Sequence, residues 1–140
     1  MTTTTRLASI RIITADIRRL VDFYARVSDV EPQWATDDFA ELRWTAFTLA
    51  IGSTRTLAFF GDDVAQAAAN RTAIIEFQVA DVDAEYERIR TADPTVTVVQ
   101  PPTTMPWGNR SALLRDPDGG LVNLFAPPSD GRRTPLVRPR

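Results

Sequence analysis

The two halves of this sequence repeat each other with an offset of 65 residues, the separation of Asp16 and Asp81. Each of these aspartates stands where a helix N-cap belongs, and apolar residues follow it at helical spacing. The matching pairs are Ile17 with Val82, Val21 with Tyr86, and Tyr24 with Ile89. A period of this length is too long for a solenoid of stacked repeats, so it predicts two copies of one larger module.

Each half reads as one strand, one helix and three further strands. In the first half the predicted strands are 10–13, 39–44, 46–51 and 56–60, with a loop over 29–38. In the second half they are 74–79, 95–99, 111–115 and 121–125, with a proline-rich loop over 101–108. The pattern predicts an α+β fold of two βαβββ modules, whose curved mixed sheets form a half-barrel around a cavity.

At 140 residues the chain is long enough for one domain with its own core. We expect a single domain over 1–140, with repeats at about 7–60 and 73–127 and a polar connector over 61–72. The Pro- and Arg-rich tail, 128–140, has no apolar periodicity and is predicted to be disordered.

The hairpin formed by the predicted strands 111–115 and 121–125 is the local structure that the sequence specifies best. The residues between its strands are Asp116-Pro117-Asp118-Gly119-Gly120. Proline presets φ at the second turn position, aspartate bonds to the nearby backbone, and glycine accepts a positive φ. On the second strand, Asn123 shares a face with Leu121 and Phe125, which makes it the one polar residue of that face.

Composition excludes several kinds of chemistry. The sequence contains no cysteine and no histidine, which removes disulfides, zinc–thiolate sites, cysteine nucleophiles and histidine bases or ligands. The net charge of −2 gives no general attraction to nucleic acid or to anionic membranes. No apolar run approaches the roughly 20 residues of a membrane span. We therefore expect a cytoplasmic protein that binds neither nucleic acid nor a membrane.

At this point the sequence resembles the vicinal oxygen chelate superfamily, which groups glyoxalase I, bleomycin-resistance proteins and extradiol dioxygenases. The resemblance covers about residues 7–127. It is carried by the helix start D-I-x-x-L-V-x-F-Y (16–24), by D-V-D-x-x-Y (81–86) and by PWG-x-R with DPDG (106–119). It implies the two-module fold and, because cavities in this family are often completed by a partner subunit, a homodimer.

The resemblance also implies where a metal would bind. Metal-dependent members carry four ligands, usually histidine or glutamate, on the first and last strands of each module. Here those positions fall at Ser9, at about Ala58, at Ile74 and at Asn123. Since this set cannot hold a divalent cation in such a site, we expect neither a metal nor another cofactor, and glyoxalase I and dioxygenase activities are disfavoured.

Strand alternation places Arg11 and Glu76, which match at the 65-residue offset, on the cavity faces of their sheets. One interpretation is an ion pair that ties the modules together. The other is that the two side chains orient a ligand, or that Glu76 acts as a base. Asn123 likewise either contacts a ligand or forms hydrogen bonds with a neighbouring strand.

Aromatic residues near strand ends are the second sign of a binding site. Large rings beside loops suit a flat, apolar ligand at the mouth of a cavity, although each ring can equally be ordinary packing. The candidate apolar contacts are Trp34, Trp44, Phe47, Met105 and Trp107, and Trp107 is the strongest of them.

Three functions remain open from the sequence. The first is a metal-free protein, similar to bleomycin-resistance proteins, that sequesters a small aromatic or amphipathic molecule without chemistry. The second is a metal-independent isomerase, cyclase or lyase that uses Glu76 and Arg11 in proton transfer. The third is an accessory subunit with a vestigial cavity.

Overall fold

The structure, a computed structural model, describes residues 4–61 and 63–128. The chain divides into two units, 1–70 and 71–140. Each unit holds one helix and one four-stranded mixed sheet, and the two sheets have the same strand order. The α+β fold with two βαβββ modules is therefore confirmed. Apart from Pro128, the predicted disordered tail lies outside the described residues.

The first unit contains β1 (Ser9–Thr14), α1 (Ile17–Ser28), β2 (Gln33–Thr36), β3 (Phe39–Arg43) and β4 (Thr48–Ser53). The sheet order is β1-β4-β3-β2, with β1 parallel to β4 and the other pairs antiparallel. A 3-10 helix, Thr54–Leu57, follows β4. Helix α1 packs against β3 and β4.

The second unit contains β5 (Ile74–Gln78), α2 (Val82–Ala92), β6 (Thr97–Thr104), β7 (Arg110–Arg115) and β8 (Leu121–Ala126). The sheet order is β5-β8-β7-β6, with β5 parallel to β8 and the other pairs antiparallel. Helix α2 packs against β6, β7 and β8. One face of each sheet is thus covered by its helix.

Both helices begin at the predicted aspartates. The Asp16 side chain accepts a hydrogen bond from the Arg19 backbone N–H at 3.3 Å, and Asp81 accepts one from the Ala84 N–H at 3.1 Å. The apolar stripe of α1 is buried, and its Leu20 has no exposed surface. Burying one such leucine contributes about 1.5–3 kcal/mol, so packing stabilises these short helices more than propensity does.

Three strand predictions were wrong. The segment 56–60 is not a strand, because the 3-10 helix and a following turn occupy it. The loop predicted over 29–38 contains β2 instead. Strand β6 continues to Thr104, through two prolines that were assigned to a loop. It is an edge strand of its sheet, where a missing N–H is tolerated.

Candidate functional site

A cavity of about 190 Å³ lies within the second unit, on the sheet face opposite α2. We call it the Trp107 cavity. Its lining residues are Glu76, Met105, Trp107, Asn109, Ser111, Asn123 and Phe125. The lining combines two rings and a thioether with one carboxylate, two amides and one hydroxyl, which suits a ligand with an apolar body and a polar group.

A chain of hydrogen bonds crosses three adjacent strands at the base of this cavity. Ser111 Oγ on β7 donates to Asn123 Oδ1 on β8, and Asn123 Nδ2 donates to Glu76 Oε2 on β5 at 2.8 Å. The register of the sheet pairs Glu76 directly with Asn123. The chain fixes the Glu76 carboxylate through one oxygen, and Oε1 has no hydrogen-bond partner within the described part of the second unit.

The tight loop between β6 and β7 supplies the opposite wall. The Met105 N–H donates to the Asn109 carbonyl at 2.7 Å, and the Gly108 N–H donates to the Met105 carbonyl at 2.9 Å. Gly108 has a φ of 99°, in the region that favours glycine. These bonds hold Trp107 and Asn109 at the cavity, where Asn109 Oδ1 is buried without a hydrogen-bond partner among the described residues.

A second cavity, of about 390 Å³, lies within the first unit. We call it the Arg11 cavity. Its lining residues are Arg11, Ile13, Leu57, Phe60, Val64 and Ala65. The Arg11 guanidinium lies over two rings, 5.5 Å from the centroid of Phe60 and 6.0 Å from that of Phe39.

The structure brings together four of the eight candidate residues. Met105, Trp107, Glu76 and Asn123 line the Trp107 cavity, while Arg11 lines the other cavity. The three remaining candidates, Trp34, Trp44 and Phe47, line neither of these two cavities. The ion pair between Arg11 and Glu76 would join the two units and stays a prediction.

Two of these remaining aromatic residues have other partners in the first unit. Trp34 lies on β2, an edge strand of its sheet. The Arg18 guanidinium is 5.1 Å from the centroid of the Trp34 ring. The backbone N–H of Trp44 donates to the Phe47 carbonyl at 2.8 Å. Both tryptophans keep more than a third of their surface exposed, Trp34 at 36% and Trp44 at 37%.

Sequence reasoning missed several lining residues. Phe125 shares the Asn123 face of β8, so strand alternation alone would have found it. Ser111 shares that face on β7, where the sheet pairs it with Phe125. Leu57, Phe60, Val64 and Ala65 were missed because the segment after β4 was taken for a strand and a connector. No local signal pointed to Asn109.

The vicinal oxygen chelate superfamily, which the sequence resembles, carries metal ligands at four positions. The side chains at these positions do not fit a metal here. The structure corrects one of them. Ala58 follows the 3-10 helix, whereas Ala50 on β4 pairs with Arg11 as Asn123 pairs with Glu76. With Ser9, Ile74 and Asn123, the set offers no carboxylate or imidazole. Over residues 4–61 and 63–128, no group of three or more His, Cys, Asp or Glu side chains could hold a metal ion.

One exposed carboxylate, Asp83, and one half-buried carboxylate, Asp38, have lowered pKa values. Asp83 on α2 accepts hydrogen bonds from Arg110 Nε at 3.0 Å and Nη2 at 2.8 Å, which lower its pKa. Hydrogen bonds from Ser53 and Arg55 lower the pKa of Asp38. Both groups lie outside the two cavities, so they stabilise local structure rather than shape a binding site.

The family model described as "Glyoxalase/Bleomycin resistance protein/Dioxygenase superfamily" matches residues 6–124. Comparison with curated proteins gave no significant match. None of the helices within the described residues is long and apolar enough to cross a membrane.

Solved structures with this fold include two relatives at 19% identity. A glyoxalase/bleomycin resistance protein/dioxygenase from Nocardioides has a TM-score of 0.74, with 99% of this chain and 93% of that chain covered. A glyoxalase-related enzyme from Fulvimarina pelagi has a TM-score of 0.73, with 94% and 99% covered. At this identity the likeness shows the fold alone.

Proposed function

Because the chain belongs to the Glyoxalase/Bleomycin resistance protein/Dioxygenase superfamily, we propose that it is a metal-free binding protein. Its ligand is a small aromatic or amphipathic molecule that it sequesters without chemical change. The observation that carries this proposal is the composition of the Trp107 cavity, where aromatic and polar groups face the same small space.

The size of the Trp107 cavity limits the buried part of the ligand. An apolar cavity of about 150 Å³ is enough to hold benzene, and this one measures about 190 Å³. It therefore accommodates one aromatic ring with a short substituent. The rings of Trp107 and Phe125 provide surfaces for stacked or edge-to-face contact with that ring.

The polar groups of the cavity favour a ligand that donates hydrogen bonds. Glu76 Oε1 and Asn109 Oδ1 are both acceptors without a partner in the described part of the second unit. A buried polar atom left unpaired costs about 1–3 kcal/mol, so a donor on the ligand would remove that cost at Asn109. A hydroxyl or amino substituent on the ring supplies such a donor.

Incorporation of 5-fluorotryptophan and fluorine NMR would test the proposal. The chain contains three tryptophans, and single tryptophan-to-phenylalanine variants assign each resonance. We expect phenol, indole and benzyl alcohol to shift the Trp107 resonance and to leave those of Trp34 and Trp44 in place. No shift at Trp107 with any of the three probes, in protein whose circular dichroism shows it folded, contradicts the proposal.

The natural ligand is sought by native mass spectrometry of protein purified from its own cells. A bound mass that matches an unmodified small molecule supports sequestration. We further propose that the protein is a homodimer of the cytoplasm, and the same measurement tests the dimer, because the intact mass gives the number of chains.

A second candidate function follows from the Glu76 carboxylate. The bond from Asn123 fixes Oε2, and Oε1 has no partner in the described part of the second unit. A carboxylate oxygen that remains able to accept a proton is what a general base requires, and Glu76 lines the cavity. The variant Glu76→Gln separates the two functions, since the amide keeps the shape and removes the base. Loss of turnover of a bound compound with retained binding supports an enzyme, and an unchanged compound in the wild-type protein supports sequestration.

A further inference from the structure

We propose that the Arg11 cavity is a second binding site, for an amphipathic monocarboxylate. This inference concerns the first unit and does not depend on the function proposed for the Trp107 cavity. It starts from the environment of Arg11, which is the only charged residue among the described residues that line this cavity, within 4–61 and 63–70.

Arg11 is not neutralised within its own unit. Among residues 4–61 and 63–70 its guanidinium has no ion-pair partner, and the contacts that it makes are with the rings of Phe39 and Phe60. On the same sheet face, Glu41 is separated from Arg11 by Ala50 in the register. Glu41 binds Arg43 instead, at 2.7 Å.

The contact with two rings leaves the donors of Arg11 available. An aromatic ring attracts the positive charge of a guanidinium without occupying its N–H groups, which can still donate to an anion. The Arg11 stem is held close to the sheet, since a Cβ at Gly52 would lie 3.6 Å from Arg11 Cδ. A fork of N–H donors held in this way matches the two oxygens of a carboxylate.

The remaining walls define the rest of the ligand. Apart from Arg11, the lining side chains that the structure describes are apolar: Ile13, Leu57, Phe60, Val64 and Ala65. A phosphate dianion would need donors beyond a single arginine, and these walls offer none, so the cavity fits a singly charged group with an apolar body. Its volume of about 390 Å³ falls within the usual range for small-molecule sites, roughly 300–1,000 Å³.

Apolar surface continues beyond the cavity. Phe60 is 60% exposed and Val64 is 58% exposed, and both line it, while the adjacent Phe59 is 95% exposed. Large apolar side chains at such exposure are expensive to leave in water. An alkyl or aryl chain that lies along them would cover this surface while its carboxylate reaches Arg11.

Isothermal titration calorimetry with octanoate and 1-octanol tests the proposal, because the two probes share a chain and differ in charge. We expect octanoate to bind at least about tenfold more tightly, as a charge-assisted hydrogen bond predicts. Arg11→Gln should weaken octanoate about tenfold and leave octanol unchanged. Equal affinities for the two probes, or no octanoate binding to the wild-type protein, would overturn the proposal.

Two further variants locate the site. Arg18→Gln removes another arginine of this unit that lies over a ring without touching the cavity, so octanoate affinity should not change. Trp107→Ala alters the other cavity, so octanoate should again bind normally even if the aromatic probes no longer do. Octanoate binding that survives Arg11→Gln but disappears in Trp107→Ala would assign octanoate to the Trp107 cavity and refute this inference.

Discussion

Asn123 donates a hydrogen bond of 2.8 Å to Glu76 from a strand that is adjacent in the sheet but 47 residues away in sequence. The parallel pairing of β5 with β8 sets the two side chains opposite each other on one face. Metal-dependent members of the superfamily carry a metal ligand at this position of the last strand. This chain instead has an amide that holds a neighbouring carboxylate.

The variant Asn123→Asp should place two carboxylates against each other. The donor to Glu76 is lost, and two negative charges then repel each other at neutral pH, a repulsion that disappears when either group is protonated. Stability should therefore be near that of the wild type below about pH 4 and fall as pH rises, by about 1 kcal/mol at pH 7 after discounting for exposure. Urea unfolding at pH 4 and pH 7 measures this.

The control for this variant is Gln66→Glu, which adds the same charge at an exposed position in the first unit. Its stability should follow that of the wild-type protein at both pH values. If Asn123→Asp behaves in the same way as the control, the hydrogen bond to Glu76 contributes nothing to stability.

A side chain at Gly120 should disrupt the hairpin turn. A Cβ there would lie 2.6 Å from Asp116 Oδ2, and Asp116 accepts hydrogen bonds from the N–H groups of Asp118 and Gly120. Because Asp116 is only 7% exposed, its carboxylate has little room to move. We expect Gly120→Ala to lower the free energy of unfolding by about 2–3 kcal/mol, measured by urea unfolding.

The same change in an Asp116→Ala background isolates the clash. Without the carboxylate, the methyl group added by Gly120→Ala should cost less than about 0.5 kcal/mol, so the two substitutions would be strongly non-additive. Additive effects would mean that the close approach of Gly120 and Asp116 is relieved in another way.

The ion pair between Asp83 and Arg110 should make part of the stability depend on acid. The hydrogen bonds from Arg110 lower the Asp83 pKa below its ordinary value of 3.8. The contribution of this ion pair to the free energy of unfolding is present above the pKa that Asp83 has in the unfolded chain. It is lost as pH falls through the lower pKa of the folded protein. A carbon-13 NMR titration of the carboxyl groups should show the Asp83 pKa rising toward 3.8 in Arg110→Gln.

Asp38 is the internal control for that titration. Its pKa is also lowered, chiefly by the hydrogen bond from Ser53 and then by that from Arg55, so it should not respond to Arg110→Gln. A rise at both aspartates would indicate a general loss of structure rather than the loss of one partner.

Treatment with a metal chelator should change neither the stability of this protein nor its ligand binding. The side chains at the four family positions lack the anionic or imidazole donors that hold a divalent cation. We therefore expect the melting temperature and the fluorine shift of Trp107 with phenol to be the same after dialysis against EDTA. Stabilisation by added Zn²⁺ or Ni²⁺ that saturates at one ion per chain would contradict the metal-free proposal.

The elements that the sequence predicted best are those specified by short-range chemistry. Asp16 and Asp81 cap their helices through bonds to N–H groups three residues ahead, and the turn after β7 uses the predicted aspartate and glycine. In the turn the Gly119 N–H donates to the Asp116 carbonyl at 2.9 Å, with Gly119 at a φ of 87°. Such patterns need no knowledge of the remaining chain.

The segment after β4 misled the prediction because its residues 57–60 form a short apolar run, which also fits a buried strand. Local hydrogen bonds decide its structure instead: Ser53 Oγ accepts from the Arg55 N–H at 3.2 Å, and Thr56 Oγ1 donates to the Ser53 carbonyl at 2.7 Å. Serine and threonine side chains often compete with strand pairing in this way. Strand β2 was missed for the opposite reason, since it is exposed along its whole length and shows no alternation of burial.

The candidate site was predictable only in part. Glu76 and Asn123 followed from strand alternation, and their contact depends on a register between β5 and β8 that no local signal supplies. Asn109 owes its place to hydrogen bonds within the loop from Met105 to Asn109. Whether Met105, Glu76, Trp107 and Asn123 bind a ligand stays a prediction that the fluorine NMR experiment decides.

Pro101 and Pro102 lie in β6, an edge strand of the second sheet. Because neither residue has an N–H group, this part of the rim offers an incomplete template to the backbone of another molecule. The prolines that hid the strand from sequence reasoning thus guard it against edge-to-edge aggregation.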